Sequence, residues 1–150
     1  MSATSPFHWR HRIALREVDA FGITWYGNYL QFCDEAVNQL LRAFDLAPST
    51  YVSRGFIVVV VDAHCRYVKP ARLDEEIDVG VRLEAGKAAR LTFHCTVTRV
   101  ADGELLARAE TTLVMLRPGG ELIYLVPEPV AALLTRLLTA QANEGTGETT

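Results

Sequence analysis

Between Tyr29 and Phe44 the apolar residues Tyr29, Phe32, Cys33, Ala36, Val37, Leu40, Leu41 and Phe44 recur at the spacing of a single helix face. A stripe of that length commits about four turns of helix to lie against an equally apolar surface. The later chain supplies one. Ile77, Val79, Val81 and Leu83 alternate with Asp78, Gly80, Arg82 and Glu84, the period of a strand covered on one face. Leu91, Phe93, Cys95 and Val97 alternate with Thr92, His94, Thr96 and Thr98 in the same way, after a turn at Ala85-Gly86-Lys87. A second turn at Ala101-Asp102-Gly103 leads into a strand over 105–117, so short connections make the three strands an antiparallel meander.

The remaining elements follow from the same two periods. Trp9, Ile13 and Leu15 alternate with Arg10, Arg12 and Arg16, which predicts a first strand over 9–15. The long helix must stop near Leu46 because Pro48 disfavours helical geometry before it. Residues 56–69 are β-branched and apolar on both faces at first, as in a central covered strand, and Pro70 ends them. Pro118-Gly119-Gly120 allows a short strand over 121–126, and Val130, Leu133, Leu134, Leu137 and Leu138 predict a terminal helix behind Pro129. Residues 141–150 are polar and aperiodic and read as a disordered tail, leaving one domain over 1–140.

The expected class is α+β, a long central helix packed on a curled antiparallel sheet of five to six strands. One helix cannot cover both faces of such a sheet or satisfy its edges, so a homodimer or homotetramer is expected. A chain of 150 residues with 49% apolar content has enough material for that core. The longest apolar stretch, Phe56 to Val61, is too short to cross a bilayer, and Met1 to Pro6 lacks an apolar signal core, which favours a cytoplasmic protein without a membrane partner. A net charge of −3 without a cluster of Lys and Arg argues against a nucleic-acid partner. Cys33, Cys65 and Cys95 form no CxxC pair and read as free thiols.

Chemistry concentrates in the run Asp19-Ala20-Phe21-Gly22-Ile23-Thr24-Trp25-Tyr26-Gly27-Asn28-Tyr29, where a carboxylate precedes the start of the long helix. A helix start offers free N–H groups and partial positive charge, so a carbonyl docked there is polarised next to an acid that attacks it or directs water at it. Hydrolysis of an activated acyl compound fits. Gly22 permits a positive φ and a close approach of substrate to backbone. Asn28 reads as a helix cap ahead of any substrate contact, and Trp25 as packing or pocket lining.

The spacing of Asp19, Gly22, Tyr26, Asn28 and Tyr29 resembles the 4-hydroxybenzoyl-CoA thioesterase family of hot-dog hydrolases, and the segment Tyr67-Val68-Lys69-Pro70-Ala71-Arg72-Leu73-Asp74 extends the resemblance. It implies the hot-dog fold, hydrolysis of an acyl-CoA thioester without a cofactor, Asp19 as nucleophile or general base, and the Tyr26 N–H on the thioester oxygen. Many relatives carry a second acid at the position of Glu17 and His at that of Tyr26; the tyrosine is similar to the aromatic-acyl branch. In that branch an acid matching Asp34 lies near the ring hydroxyl of the substrate, the alternative being a solvated helix acid. Lys69, Arg72, Lys87 and Arg90 could meet the phosphates of CoA, or serve only solubility. An acyl-carrier-protein substrate and a silent acyl-CoA-binding module are the alternative functions.

Other chemistries lack their residues. His64-Cys65 and His94-Cys95 are each split across opposite strand faces, which argues against a metal site. No GxSxG elbow, GxGxxG or Walker loop occurs.

Overall fold

A computed structural model describes residues 7–145. In chain order the elements are β1 (Phe7–Arg12), α1 (Asn28–Ala43), β2 (Ile57–Tyr67), β3 (Glu76–Ala85), β4 (Leu91–Arg99), β5 (Leu105–Leu116) and α2 (Glu128–Gly145). The strands form one antiparallel sheet in the order β1-β3-β4-β5-β2. The α+β hot-dog architecture is therefore the observed one, with the meander β3-β4-β5 at its centre.

The α1 stripe is buried from Tyr29 through Leu41 and meets Ile77, Val79, Val81 and Leu83 of β3, all at most 1% exposed. After Ala43 the chain leaves helical geometry at Asp45, whose φ is 59°, and the Leu46 N–H returns to the Leu41 carbonyl at 2.8 Å. Pro48 then opens a short 3-10 turn, so the stop falls where proline requires it.

Four expectations need correction. The first strand ends at Arg12, not Leu15, because Leu15–Glu17 coils into a 3-10 turn that reverses the chain. Residues 57–67 form an edge strand, not a central one: Val60 and Val61 are 55% and 50% exposed around a bulge between Val60 and Asp62. An apolar run reads the same whether it is covered by its own sheet or left open at an edge. Residues 121–126 make only a single bridge, Leu116 to Leu122, so the sheet has five strands among the described residues.

The last correction concerns the tail. α2 continues through Gly145, and residues 146–150 lie outside the described part. Among the described residues β1 pairs with β3 as far as Val81, and no strand there takes the Leu83 N–H and C=O. The Gln141 side chain takes both, accepting from the Leu83 N–H and donating to its carbonyl at 2.8 Å each. A polar side chain thus pairs with a strand backbone as a neighbouring strand would, which a reading of polarity alone does not foresee.

Candidate active site

The site grows out of the turn that follows β1. Asp19 to Ile23 is a tight loop closed by the bridge Val18 to Thr24, with the Asp19 N–H on the Ile23 carbonyl at 2.9 Å. Gly22 has φ 74°, a left-handed geometry that L side chains rarely adopt. One Asp19 carboxylate oxygen accepts the Phe21 N–H at 2.8 Å, an Asx-type turn, and the other has no partner among the described residues. The Asp19 side chain is half-buried, and Phe21 at the loop tip is 83% exposed.

The loop is strapped to the chain after β2. Thr24 donates its N–H and its hydroxyl to the Ala71 carbonyl, Ile23 bridges Arg72, and the Ala71 N–H donates to the buried Tyr29 hydroxyl at 2.9 Å. The two segments that the sequence singled out, 19–29 and 67–74, are thus one structural unit.

At the helix entrance the Trp25 N–H goes to the Glu17 carbonyl, the Asn28 N–H to Trp25 and the Tyr29 N–H to Tyr26. Among the described residues no acceptor takes the N–H of Tyr26 or of Gly27. Gly27 is a spatial requirement: a Cβ there would sit 2.1 Å from the Trp25 ring, which folds back over the turn. The Tyr67 hydroxyl donates to the Tyr26 carbonyl at 2.9 Å, fixing the turn from the β2 side. Asn28 is the first helical residue, not the cap; Gly27 occupies the cap position, and the Asn28 amide donates to the Glu17 carbonyl at 2.8 Å.

Below this entrance, between α1, the first half of β2, residues 46–56 and α2, lies an apolar cavity of about 400 Å³. Its walls include Val37, Leu41, Phe56, Phe93 and Met115, and the acid among them is Asp34. Partial burial pushes the Asp34 carboxyl above the ordinary carboxylate range; Glu35 adds to the effect and the Asn38 amide at 3.3 Å opposes it. Asp34 lies eight residues beyond Tyr26, which is about 12 Å along a helix axis.

The basic residues do not converge within one protomer. Arg72 is exposed beside the Asp19 loop, and Lys69 is ion-paired with Glu104. Lys87 and Arg90 sit in the turn at the far end of β3, a strand of 10 residues and so roughly 30 Å from its start beside that loop. His94 faces Glu84 at 2.6 Å and Glu110 at 3.6 Å. The adjacent Cys95 thiol and burial push the Cys33 thiol above its ordinary range, which disfavours the thiolate. No three potential metal ligands cluster among the described residues, and no helix there is long and apolar enough to cross a membrane.

One pair escaped the pattern reading. Glu17 is 7% exposed, and both its oxygens lie 2.8 Å from His11 Nε2. The available signal was His11 itself, a polar residue at an inward position of β1 between Trp9 and Ile13.

The thioesterase-like superfamily matches residues 13–134. The acyl-CoA thioester hydrolase YbgC of Escherichia coli O6:H1 is 25% identical over 115 residues, covering 77% of this chain and 85% of that protein. A 1,4-dihydroxy-2-naphthoyl-CoA hydrolase of Synechocystis sp. is 26% identical over 106 residues, covering 70% of this chain and 77% of the relative. A crystal structure from Aquifex aeolicus superposes with a TM-score of 0.79 at 30% identity, over 86% of this chain and 99% of that one.

Proposed function

The chain belongs to the thioesterase-like superfamily and is a thioester hydrolase; from that premise we propose that it cleaves an acyl-CoA, with Asp19 as the reacting acid and the Tyr26 N–H on the thioester oxygen. The observation that carries this is the division of labour between two acids. Glu17 is buried and committed to His11, while among the described residues Asp19 has one carboxylate oxygen without a partner on the segment that ends in two N–H groups without acceptors. As the carbonyl carbon is attacked, charge moves onto its oxygen, where a preoriented N–H stabilises the transition state more than the ground state. Asp19 either takes a proton from the attacking water and passes it to the sulfur as the C–S bond breaks, or adds to the carbon itself, expelling CoA as a thiolate that is protonated by water and leaving an acyl-aspartyl anhydride that a second water hydrolyses; both routes end in free acid and CoA thiol.

The acyl group is proposed to run from this entrance along α1 into the cavity. A hydroxylated aromatic group is favoured by Asp34, the acid in a mostly apolar wall, and by the naphthoyl-CoA substrate in the name of the Synechocystis relative. A free-thiol release screen over aromatic and aliphatic acyl-CoAs tests reaction and substrate together, and absence of turnover across the panel would overturn the assignment. Asp34→Asn should lower kcat/KM for a phenolic acyl-CoA by roughly tenfold while changing that for the unhydroxylated analogue less than about twofold. Equal losses on both would remove Asp34 from the substrate contacts.

The exposed apolar edge of β2 further suggests a second copy paired along it, since such an edge left open templates association. A sedimentation mass equal to the 16.6 kDa of one chain would rule it out.

A further inference from the structure

An acid as deeply buried as Glu17 needs compensation, and the structure gives it more than one partner. Both carboxylate oxygens face His11 Nε2 at 2.8 Å, and one of them also accepts the Ala14 N–H at 3.1 Å. The imidazole is itself clamped, stacked on Trp9 at 5.1 Å and tilted against Phe32 of α1 at 5.0 Å. The side chain of Glu17 therefore joins the end of β1, the 3-10 turn after it and the buried face of α1.

The backbone of the same residue does something different. Its carbonyl accepts the Trp25 N–H at 2.9 Å and the Asn28 side-chain amide at 2.8 Å. Those two donors bracket Tyr26 and Gly27, whose own N–H groups have no acceptor among the described residues. Whatever fixes the Glu17 carbonyl thus fixes both ends of the turn that presents the Tyr26 N–H.

We propose that His11 and Glu17 form a positioning pair for this reaction: the hydrogen bonds between the two side chains lock the Glu17 carbonyl, and the carbonyl in turn aims the Tyr26 N–H at the thioester oxygen. The assignment rests on the role given above to the Tyr26 N–H. Neither side chain touches the reacting atoms, so neither is catalytic. Small displacements of a donor from the oxyanion are costly because the stabilisation depends on distance and direction, whereas substrate binding in the cavity, about 12 Å further along α1, is left alone.

The test is steady-state kinetics of acyl-CoA hydrolysis with thermal unfolding measured on the same preparations. Glu17→Ala should lower kcat by roughly 10- to 100-fold with KM within about twofold of the parent. Glu17→Gln keeps an oxygen that accepts the Ala14 N–H and should recover kcat to within about threefold. Should Glu17→Ala fail to fold, His11→Phe decides, because it retains a ring between Trp9 and Phe32 but removes the donor; its kcat should fall about tenfold at unchanged KM. A folded Glu17→Ala or His11→Phe with parental kcat and only a lower unfolding temperature would overturn the proposal. So would a rise in KM at constant kcat, or a Glu17→Gln no faster than Glu17→Ala. Asp19→Asn in the same assay separates the two readings: if it retains turnover, the site assignment fails; if it is inactive while the Glu17 variants are unimpaired, only the positioning pair does.

Discussion

Asp19→Asn should lose about three orders of magnitude in kcat, on the order of 4 kcal/mol of transition-state stabilisation, while unfolding within a degree or two of the parent. The separation of the two effects follows from how Asp19 is held. One carboxylate oxygen serves the fold by accepting the Phe21 N–H, and an asparagine oxygen accepts that bond equally well. The other has no partner among the described residues, and replacing it with an NH₂ group removes the proposed nucleophile or base. Asp19→Ala should give the same kcat with a small extra loss of stability, because the exposed Phe21 N–H then turns to water. Free-thiol release and thermal unfolding on the same preparations check both halves. Turnover near the parental value in Asp19→Asn would move the chemistry to another group.

Two acids two residues apart look interchangeable in the sequence, and only their surroundings separate them. Glu17 is sealed beneath α1 against His11, so it can steady the loop but cannot meet a substrate. Asp19 lies on the outer side of the Val18 to Thr24 bridge, in a loop whose Gly22 admits a close approach.

These surroundings explain which features were legible in the sequence. α1 and the meander were, because helix and hairpin periodicities are local and each residue reports its own face. The unity of 19–29 with 67–74 was visible only as two stretches of resemblance; the bonds from Thr24 and Tyr29 to Ala71 that join them span more than forty residues. The pairing of His11 with Glu17 depends on a chain reversal at Leu15–Glu17, where the strand period carries no information. The edge position of β2 was misread because Val58 to Val61 satisfy a buried strand and an unpartnered one alike. The cavity could not be read at all, since its wall is assembled from both helices, three strands and the 46–56 connection.

That composite wall makes Phe56 the sharpest test of where the acyl group goes. Phe56 is 1% exposed, stacks on Tyr51 at 4.8 Å and forms part of the cavity wall beside the start of β2, at the end remote from Tyr67 and the Tyr26 turn. Truncation to alanine should cost about 3 kcal/mol, the low end for a buried phenylalanine, because the space opens into an existing cavity instead of leaving a sealed void. At roughly 2–4 °C per kcal/mol for a chain of this size, thermal unfolding should fall by about 6–12 °C. If the acyl group fills this cavity, the same change deepens its far end, and kcat/KM should shift by roughly tenfold toward longer or bulkier acyl-CoAs, with kcat on small substrates little altered because the Asp19 and Tyr26 end is untouched. A destabilised Phe56→Ala enzyme with the parental substrate order would mean that the acyl group leaves the entrance by another route, and that the cavity belongs to the core and not to the site.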